Sequence, residues 1–146
     1  MQSSRWFSLR TFRSIYRRVP RLCVEVVLRV PKGVVLTKRD IVPWKGQWHL
    51  PGGTVRMRET LAHAVVRVAM EELGVRVRIV RVLGPIEYLR APAWYGHPVG
   101  VAFLVRRSGG QLRGSWQGRE VRTFAKLPKP MIREQRQFLM RELRME

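Results

Sequence analysis

Apolar stretches along the chain predict several strands. Residues 22–30 are apolar and β-branched, which is typical of a buried strand. The apolar pattern resumes at residues 34–36 after the turn Pro31-Lys32-Gly33, so the two stretches predict a hairpin. Residues 75–83 alternate between apolar and polar and then change register near Val80, as a bulged strand would.

Helical spacing appears in two further segments. Residues 60–73 predict a helix with Thr60 as its N-cap and Gly74 just beyond its end. Residues 132–145 also carry apolar side chains at helical spacing. The remaining predictions are strands at 99–105 and 121–124 and turns at Gly109-Gly110 and Gly114. This order of elements predicts an α+β fold, a sandwich of helices around a mixed β-sheet.

The N-terminal segment is basic. Residues 1–21 contain no acid and six arginines, at positions 5, 10, 13, 17, 18 and 21. This composition is typical of a mitochondrial presequence, but the rest of the chain is also strongly basic. Because Phe7, Phe12, Ile15 and Tyr16 can form one apolar stripe, we favour a docked helix that ends before Pro20.

Length and composition indicate one globular domain. The chain has 146 residues, of which 45% are apolar and 27% charged. We therefore expect a single domain over residues 1–146, with 1–21 as a basic helix or extension. The sequence has one cysteine, which excludes an internal disulfide, and no apolar run of the roughly 18 residues that a membrane span needs. A cytoplasmic location is expected, since no apolar signal-peptide core is present.

The net charge bears on partners. The chain has 29 Lys and Arg against 10 Asp and Glu, a formal net charge of +19. Such a field attracts nucleic acid, nucleotides or an anionic membrane surface, although the arginines can also be ordinary surface residues. The charge therefore makes nucleic acid the first hypothesis to weigh, and it carries no information on chemistry.

Two of the ten acidic residues occupy an unfavourable place. Arg67 and Glu71 share one face of the predicted helix, and Glu71 and Glu72 lie in its last turn. Carboxylates oppose the helix dipole at that end, which suggests a compensating cation such as Mg²⁺. The preceding Gly52-Gly53 allows backbone carbonyls to approach such an ion. The residues alone leave open whether the carboxylates bind metal or are solvated.

The spacing of seven residues resembles the Nudix box. The pattern is Gly, five residues, Glu, seven residues, and Arg-Glu-apolar-x-Glu-Glu-x-Gly-apolar. The matching residues are Gly53, Glu59, Arg67, Glu71, Glu72, Gly74 and Val75, and Trp48 to Gly53 also resemble the family. The resemblance implies the Nudix fold, an α/β/α sandwich, and hydrolysis of a nucleoside diphosphate linked to another group, with Mg²⁺ or Mn²⁺ as cofactor.

One position of the box departs from the family. Val68 stands where the pattern has a glutamate, so the site has less negative charge and is expected to hold a single Mg²⁺ helped by substrate phosphates. In the family, this departure resembles the GDP-mannose mannosyl hydrolase branch. That branch also resembles this chain around Glu25 and Arg39, which we therefore expect to contact substrate. It differs at Thr54, where the branch has Arg, and at Gly118, where it has a histidine base.

The resemblance implies roles for particular side chains. Arg67 is expected to position the carboxylates, and Arg39 to contact phosphate. The expected metal ligands are the Gly52 carbonyl, Glu71, Glu72 and, by a loose late alignment, Gln117. The general base is unresolved, with Glu120 and His97 as candidates. Trp94 and Tyr95 lie in a loop rich in Pro and Gly, where an exposed ring could stack on a base.

Several functions remain open from sequence. A hydrolase of a nucleotide sugar such as GDP-mannose leads, and a pyrophosphohydrolase of nucleoside triphosphates, ADP-ribose or RNA 5′ ends is the alternative. A non-catalytic RNA-binding Nudix protein is not favoured, because Glu71 and Glu72 are retained. The resemblance further implies a homodimer, and no membrane partner is expected.

Overall fold

Across residues 7–146, seven strands form a central mixed sheet, and three α-helices accompany it. The computed structural model describes residues 7–146, so Arg5 of the basic N-terminal segment lies outside the described part. The strands are β1 (Arg21–Val30), β2 (Gly33–Lys38), β3 (Trp48–His49), β4 (Gly52–Thr54), β5 (Val75–Glu87), β6 (Pro98–Gly110) and β7 (Val121–Phe124). The helices are α1 (Leu9–Tyr16), α2 (Leu61–Leu73) and α3 (Arg133–Glu142).

The strand order is β3-β2-β1-β6-β5, with β4 pairing β1 and β7 pairing β2. β1 runs parallel to β6 and antiparallel to both β2 and β4. β1 pairs with β4 over residues 23–25 and with β2 only at residues 29 and 30. The sheet is therefore mixed, as the sequence predicts, and β1 exchanges one partner for another along its length.

The two sides of the sheet carry separate apolar cores. On one side, Val24, Val26 and Leu28 of β1 pack with residues of α2 such as Val65 and Leu73. On the other side, Val27 of β1 packs with a cluster that includes Phe138 and Leu139 of α3. Alternate residues of β1 thus serve opposite layers, which explains why its sequence is almost continuously apolar. The predicted sandwich of helices around a mixed sheet is confirmed.

The predicted helix caps are also confirmed. The Thr60 hydroxyl accepts a hydrogen bond from the His63 N–H at 3.1 Å, and α2 begins at the next residue. Gly74 ends α2 with a left-handed φ of 70°. Arg113 donates to the carbonyl oxygens of Met70 and Glu71 at 3.2 and 3.4 Å, which places a cation at the negative end of the helix.

Some predicted boundaries were wrong. Gly109 and Gly110 lie at the end of β6 rather than in a turn, because the β5–β6 hairpin pairs as far as Val75 with Gly110. The strand predicted at 99–105 is accordingly longer, and α3 is shorter than the segment 132–145. The register change near Val80 is confirmed as a bulge between Ile79 and Arg81.

The N-terminal helix α1 is a short amphipathic element. Ser8 caps it by accepting a hydrogen bond from the Thr11 N–H at 3.2 Å. It ends at Tyr16, before Pro20, as predicted, and none of its residues is buried. Among residues 7–146, no helix is both long enough and apolar enough to cross a membrane.

We expect α3 to contribute strongly to stability through Leu139, which is fully buried. The substitution Leu139→Ala is expected to lower the free energy of unfolding by about 2–5 kcal/mol, because it leaves a cavity in the core. The neighbouring Met140 is 43% exposed, so Met140→Ala is the matched control and should change the value by roughly 0.5 kcal/mol or less. Urea denaturation of both variants measures the difference, and equal effects would contradict the described packing of α3.

Candidate active site

The last turn of α2 presents one buried and one partly exposed carboxylate. Glu72 is 8% exposed, whereas the side chain of Glu71 is 38% exposed. Adjacent helical residues project about 100° apart, so one of the pair faces the sheet when the other faces outward. Both residues line the same large cavity. The two carboxylates singled out by sequence therefore meet at one site, in different environments.

Arg67 ties α2 to the loop that precedes it. Its Nε and Nη2 donate to the two carboxylate oxygens of Glu59, each at 2.8 Å. Nη2 also donates to the Thr54 carbonyl at 3.0 Å, and Nη1 lies 3.3 Å from Glu71 Oε2. Hydrogen bonds from Arg67 lower the pKa of Glu59 to about 2, although burial opposes this shift. This bidentate pair fixes the end of β4 against α2 and leaves one guanidinium nitrogen directed at Glu71.

The two glycines of β4 allow close approach on both sides. A Cβ at Gly52 would lie 2.5 Å from Glu25 Oε1, and a Cβ at Gly53 would lie 2.9 Å from Val68 Cγ2. Val68 is 1% exposed and belongs to the core between α2 and the sheet. The position where the family pattern has glutamate is thus filled here by an apolar side chain packed beneath the glycine backbone.

Glu25 is the centre of a buried polar network. Its Oε2 accepts hydrogen bonds from Tyr88 Oη at 2.6 Å and Gln135 Nε2 at 2.9 Å. Gln135 Oε1 in turn accepts the backbone N–H of Leu50 at 2.6 Å. One buried glutamine therefore links α3 both to Glu25 and to the residue that leads into the glycine turn.

Burial changes the protonation of both inward-facing carboxyls. It raises the pKa of Glu25 to about 7, against hydrogen bonds from Tyr88 and Gln135 that act in the opposite direction. It raises the pKa of Glu72 to about 8, and the negative charge of Glu25 adds to this rise. Since metal ligands must be deprotonated, a cation bound by Glu72 would displace the proton of that carboxyl.

The donor set fits a hard cation that also binds substrate. Among residues 7–146, no group of three or more His, Cys, Asp and Glu side chains is arranged to hold a metal ion by itself. Magnesium commonly takes only one or two protein carboxylates and completes its shell with water and substrate phosphates. The oxygens available around Gly52, Glu71 and Glu72 are of that kind.

A cavity of about 1020 Å³ extends from the carboxylates. Its lining includes Arg39, Trp94, Tyr95 and Gln117, as expected from sequence, and also Trp44. Arg39 is 8% exposed and its Nε donates to the Pro43 carbonyl. Trp44 contacts both Tyr88 and Tyr95 with ring centroids 5.8 and 5.7 Å apart. The cavity thus joins a carboxylate region to an arginine and aromatic region.

The two candidate bases lie elsewhere. Glu120 pairs with Arg122 at 2.6 Å and is not among the residues lining the cavity. His97 lies beside a separate small pocket, where its backbone carbonyl accepts from the Arg21 N–H. Gly118 packs against β2, since a Cβ there would be 2.9 Å from the Lys38 carbonyl. This close packing explains why no larger residue stands at that position.

Three cavity residues were missed by sequence reasoning. Tyr88 and Gln135 hold Glu25, and His49 lies beside Arg39. His49 Nδ1 donates to the Leu50 carbonyl at 2.7 Å, and Nε2 therefore accepts from Thr37 Oγ1 at 3.1 Å. Burial, with Arg39 nearby, lowers the pKa of His49 to about 3, so the ring stays neutral. Gln135 had a signal in the sequence, because it is polar on an otherwise apolar helix face.

Comparison with known proteins is consistent with this geometry. A family model of the NUDIX domain matches residues 19–142. The low-salt glycan biosynthesis protein Agl8 of Haloferax volcanii is 47% identical over 75 residues, which are 51% of this chain and 48% of that protein. An ADP-ribose pyrophosphatase of Methanocaldococcus jannaschii is 33% identical over 106 residues, 72% of this chain and 62% of that protein. The chain therefore spans only about half to two thirds of the length of these curated relatives.

Solved structures share the fold. A MutT NUDIX hydrolase from Burkholderia pseudomallei superposes with a TM-score of 0.75 at 28% identity, covering 83% of this chain and 96% of that one. A bifunctional NMN adenylyltransferase/ADP ribose pyrophosphatase from Francisella tularensis, complexed with AMP and a Mn ion, gives a TM-score of 0.71. It is 18% identical and covers 92% of this chain and 46% of that one, so it supports the fold alone.

The Glu59–Arg67 pair predicts a specific pH dependence of stability. Because the pKa of Glu59 is lowered to about 2 in the folded chain, its contribution is fully present above the unfolded value near 4.5 and is lost as the pH falls towards 2. Glu59→Gln should lower the free energy of unfolding at pH 7 by on the order of 2 kcal/mol and flatten the decline between about pH 5 and 2.

Urea denaturation at a series of pH values, with chelator present, measures this effect. Glu87→Gln is the matched control, since Glu87 is exposed and has no ion pair within the described part of the chain. If Glu59→Gln kept the same acid limb as the control, the pair would not contribute as described.

Proposed function

The chain belongs to the NUDIX family, and we propose that it hydrolyses a nucleoside diphosphate linked to another moiety, with Mg²⁺ or Mn²⁺ as cofactor. The observation that carries the proposal is that Glu71, Glu72 and Gly52 line one cavity together with Arg39. Carboxylate oxygens suit a hard divalent ion, and a planar guanidinium suits phosphate. A diphosphate group joins these two requirements in one ligand.

The proposed cation ligands are the carboxylates of Glu71 and Glu72 and the carbonyl of Gly52, with Gln117 as a weaker candidate. The ion would supply charge neutralisation at the diphosphate and acidify a water molecule. Arg67 acts through Glu71, which it holds in place by a contact of 3.3 Å, and is therefore a positioning residue. Arg39 would bind a phosphate oxygen from the cavity wall.

The preferred substrate class is a nucleotide sugar, with GDP-mannose as the type suggested by the resemblance of the sequence. The glycan biosynthesis protein of Haloferax volcanii supports a sugar-linked role, since it is 47% identical over the matching half of this chain. Trp94 and Tyr95 line the cavity, and Trp94, which is 53% exposed, offers a stacking surface for a base, whereas the Tyr95 ring is in contact with Arg21. ADP-ribose is the second candidate, favoured by the 33% identical pyrophosphatase of Methanocaldococcus jannaschii.

The neighbourhood of Gly118 bears on the bond that is cleaved. In the resembling branch, a histidine at this position activates water for attack at the sugar carbon, and here the position has no side chain. Attack on phosphorus is then the simpler route, because water near a bound cation and two carboxylates needs no histidine. The products distinguish the routes: free sugar with nucleoside diphosphate, or sugar phosphate with nucleoside monophosphate.

The decisive experiment is a screen of nucleotide sugars, ADP-ribose and nucleoside triphosphates with Mg²⁺, in which products are separated by chromatography. Turnover of GDP-mannose or a related nucleotide sugar would support the preferred class. Selective turnover of ADP-ribose would support the second candidate. Absence of cation-dependent turnover across the whole panel would contradict the proposal.

We expect Glu72→Gln to reduce Mg²⁺-dependent turnover by at least about 100-fold, because loss of a metal-binding carboxylate exceeds the effect of changing an outer partner. The substitution keeps the size of the side chain, and burial already favours the uncharged form of Glu72 by raising its pKa to about 8, so folding should be retained. Steady-state kinetics together with circular dichroism measure both effects, and Glu87→Gln again serves as the control. Full activity in Glu72→Gln would contradict the proposed role of Glu72 as a ligand of the cation.

A further inference from the structure

A second arginine lines the cavity at the start of β1, four residues before Glu25. Arg21 begins β1, and it shares one face of the strand with Cys23 and Glu25. At about 3.3 Å per residue, Arg21 lies about 13 Å along the strand from Glu25. The Arg21 side chain covers part of this interval, since its Nη1 reaches Thr54, two residues beyond the Gly52 that pairs with Glu25.

Arg21 is buried, and Glu25 attracts it electrostatically without forming an ion pair with it. It is 7% exposed, and within residues 7–146 no carboxylate lies within ion-pair distance of its guanidinium. Its Nη1 donates to Thr54 Oγ1 at 3.0 Å and to Cys23 Sγ at 3.3 Å. Its Nε is buried and has no hydrogen-bond partner in the same part of the chain.

This arrangement is unfavourable as it stands. An arginine stays protonated in proteins, so the charge cannot be removed by a shift of its pKa. A buried charge is normally paired, and an unsatisfied buried donor loses its hydration without compensation. Glu25, the acid that shares its strand face, already accepts two hydrogen bonds at Oε2 from Tyr88 and Gln135. An anion from outside the chain would satisfy Arg21.

The surroundings of Arg21 suit such an anion. The guanidinium carbon lies 4.9 Å from the ring centroid of Tyr95 and 5.4 Å from that of Phe12, within the range of cation–π contact. These contacts hold the Arg21 side chain against α1 and the segment Ala93–Tyr95, but they give its Nε no hydrogen-bond acceptor. Arg13 of α1 and Arg17, which follows that helix, line the same cavity, so this end is positively charged and the other end carries Glu71 and Glu72.

We infer that Arg21 anchors a second anion-binding subsite, which takes a carboxylate or phosphate that the substrate carries in addition to its diphosphate. The inference rests on the proposed function, since it concerns the far end of the same substrate. It narrows the substrate class to nucleotides with an extra anionic group. That group is either the carboxylate of an acidic sugar linked to the diphosphate or a phosphate on the ribose of the nucleoside.

Two matched pairs of probes test the subsite and distinguish these sources. UDP-glucuronic acid and UDP-glucose differ by one sugar carboxylate, and ADP-ribose 2′-phosphate and ADP-ribose differ by one ribose phosphate. We expect the wild-type protein to prefer the anionic member of at least one pair by about 10-fold or more in kcat/KM, the usual effect of a charge-assisted hydrogen bond. No preference in either pair would overturn the inference.

Substitution assigns the preference to Arg21. Arg21→Gln should bring the ratio of kcat/KM between the anionic and the neutral member of the pair to about 1, whatever its effect on the neutral member alone. Arg21→Lys should keep part of the preference, because charge remains but the planar fork is lost. Arg18→Gln is the matched control, since Arg18 is exposed, lies three residues away and removes the same charge. A preference that survives in Arg21→Gln would assign the anion to another group.

Binding gives a readout that does not need turnover. Calorimetric Kd values for both pairs are measured with Glu72→Gln protein, with and without Arg21→Gln. If the preference appears in binding but no probe is hydrolysed by the wild-type protein, the proposed function fails while the subsite stands. If probes are hydrolysed without any preference, the subsite fails while the proposed function stands.

Discussion

The backbone of Gly52 is enclosed by two carboxyl groups, and much of the structure depends on that contact. Glu25 approaches from the sheet so closely that a Cβ at residue 52 would lie 2.5 Å from its Oε1. Glu72 approaches from α2 and receives a hydrogen bond from the Gly52 backbone. Burial raises the pKa of both carboxyls, and the charge of Glu25 adds to the rise at Glu72. The surrounding elements are arranged so that the cost of this burial is tolerated.

Three distant parts of the chain share in that arrangement. Tyr88 follows β5, Gln135 belongs to α3, and Arg67 belongs to α2, and each donates to a glutamate near the glycine turn. Gln135 also receives the Leu50 N–H, so the position of α3 is coupled to the start of β4. α3 is therefore held by hydrogen bonds as well as by apolar packing, and Gln135 on its buried face makes those hydrogen bonds.

Local sequence signals were sufficient to predict the ends of α2 and the site residues that lie on α2 and in the aromatic loop at residues 94 and 95. Thr60 and Gly74 determine the ends of α2 by capping, and the spacing of Arg67 and Glu71 determines that they share a face. The aromatic residues of the segment 94–95 were predicted at the cavity and lie there. These features depend on neighbours a few residues away, which a periodic pattern can represent.

The remaining features depend on long-range contacts. Gly109 and Gly110 are typical of turns, but pairing with residues 75 and 76 extends β6 through them. Glu120 was a reasonable base by residue type, but it pairs with Arg122 instead. The carboxylates in the last turn of α2 suggest a compensating metal ion. Arg113 also places a positive charge at that end, since it donates to the carbonyl of Met70, 43 residues earlier in the sequence. Tyr88 and Gln135 could not be associated with Glu25 before the fold was known.

The helix α1 forms part of the cavity wall although none of its residues is buried. Its contacts with the rest of the chain are made chiefly to the short 3-10 turn Ala93–Tyr95. Substitutions on α1 can therefore change the shape and charge of one end of the cavity at little cost in folding free energy. The carboxylates lie between α2 and the sheet, whereas α1 forms a wall outside the core, so this wall can be redesigned without rebuilding the scaffold.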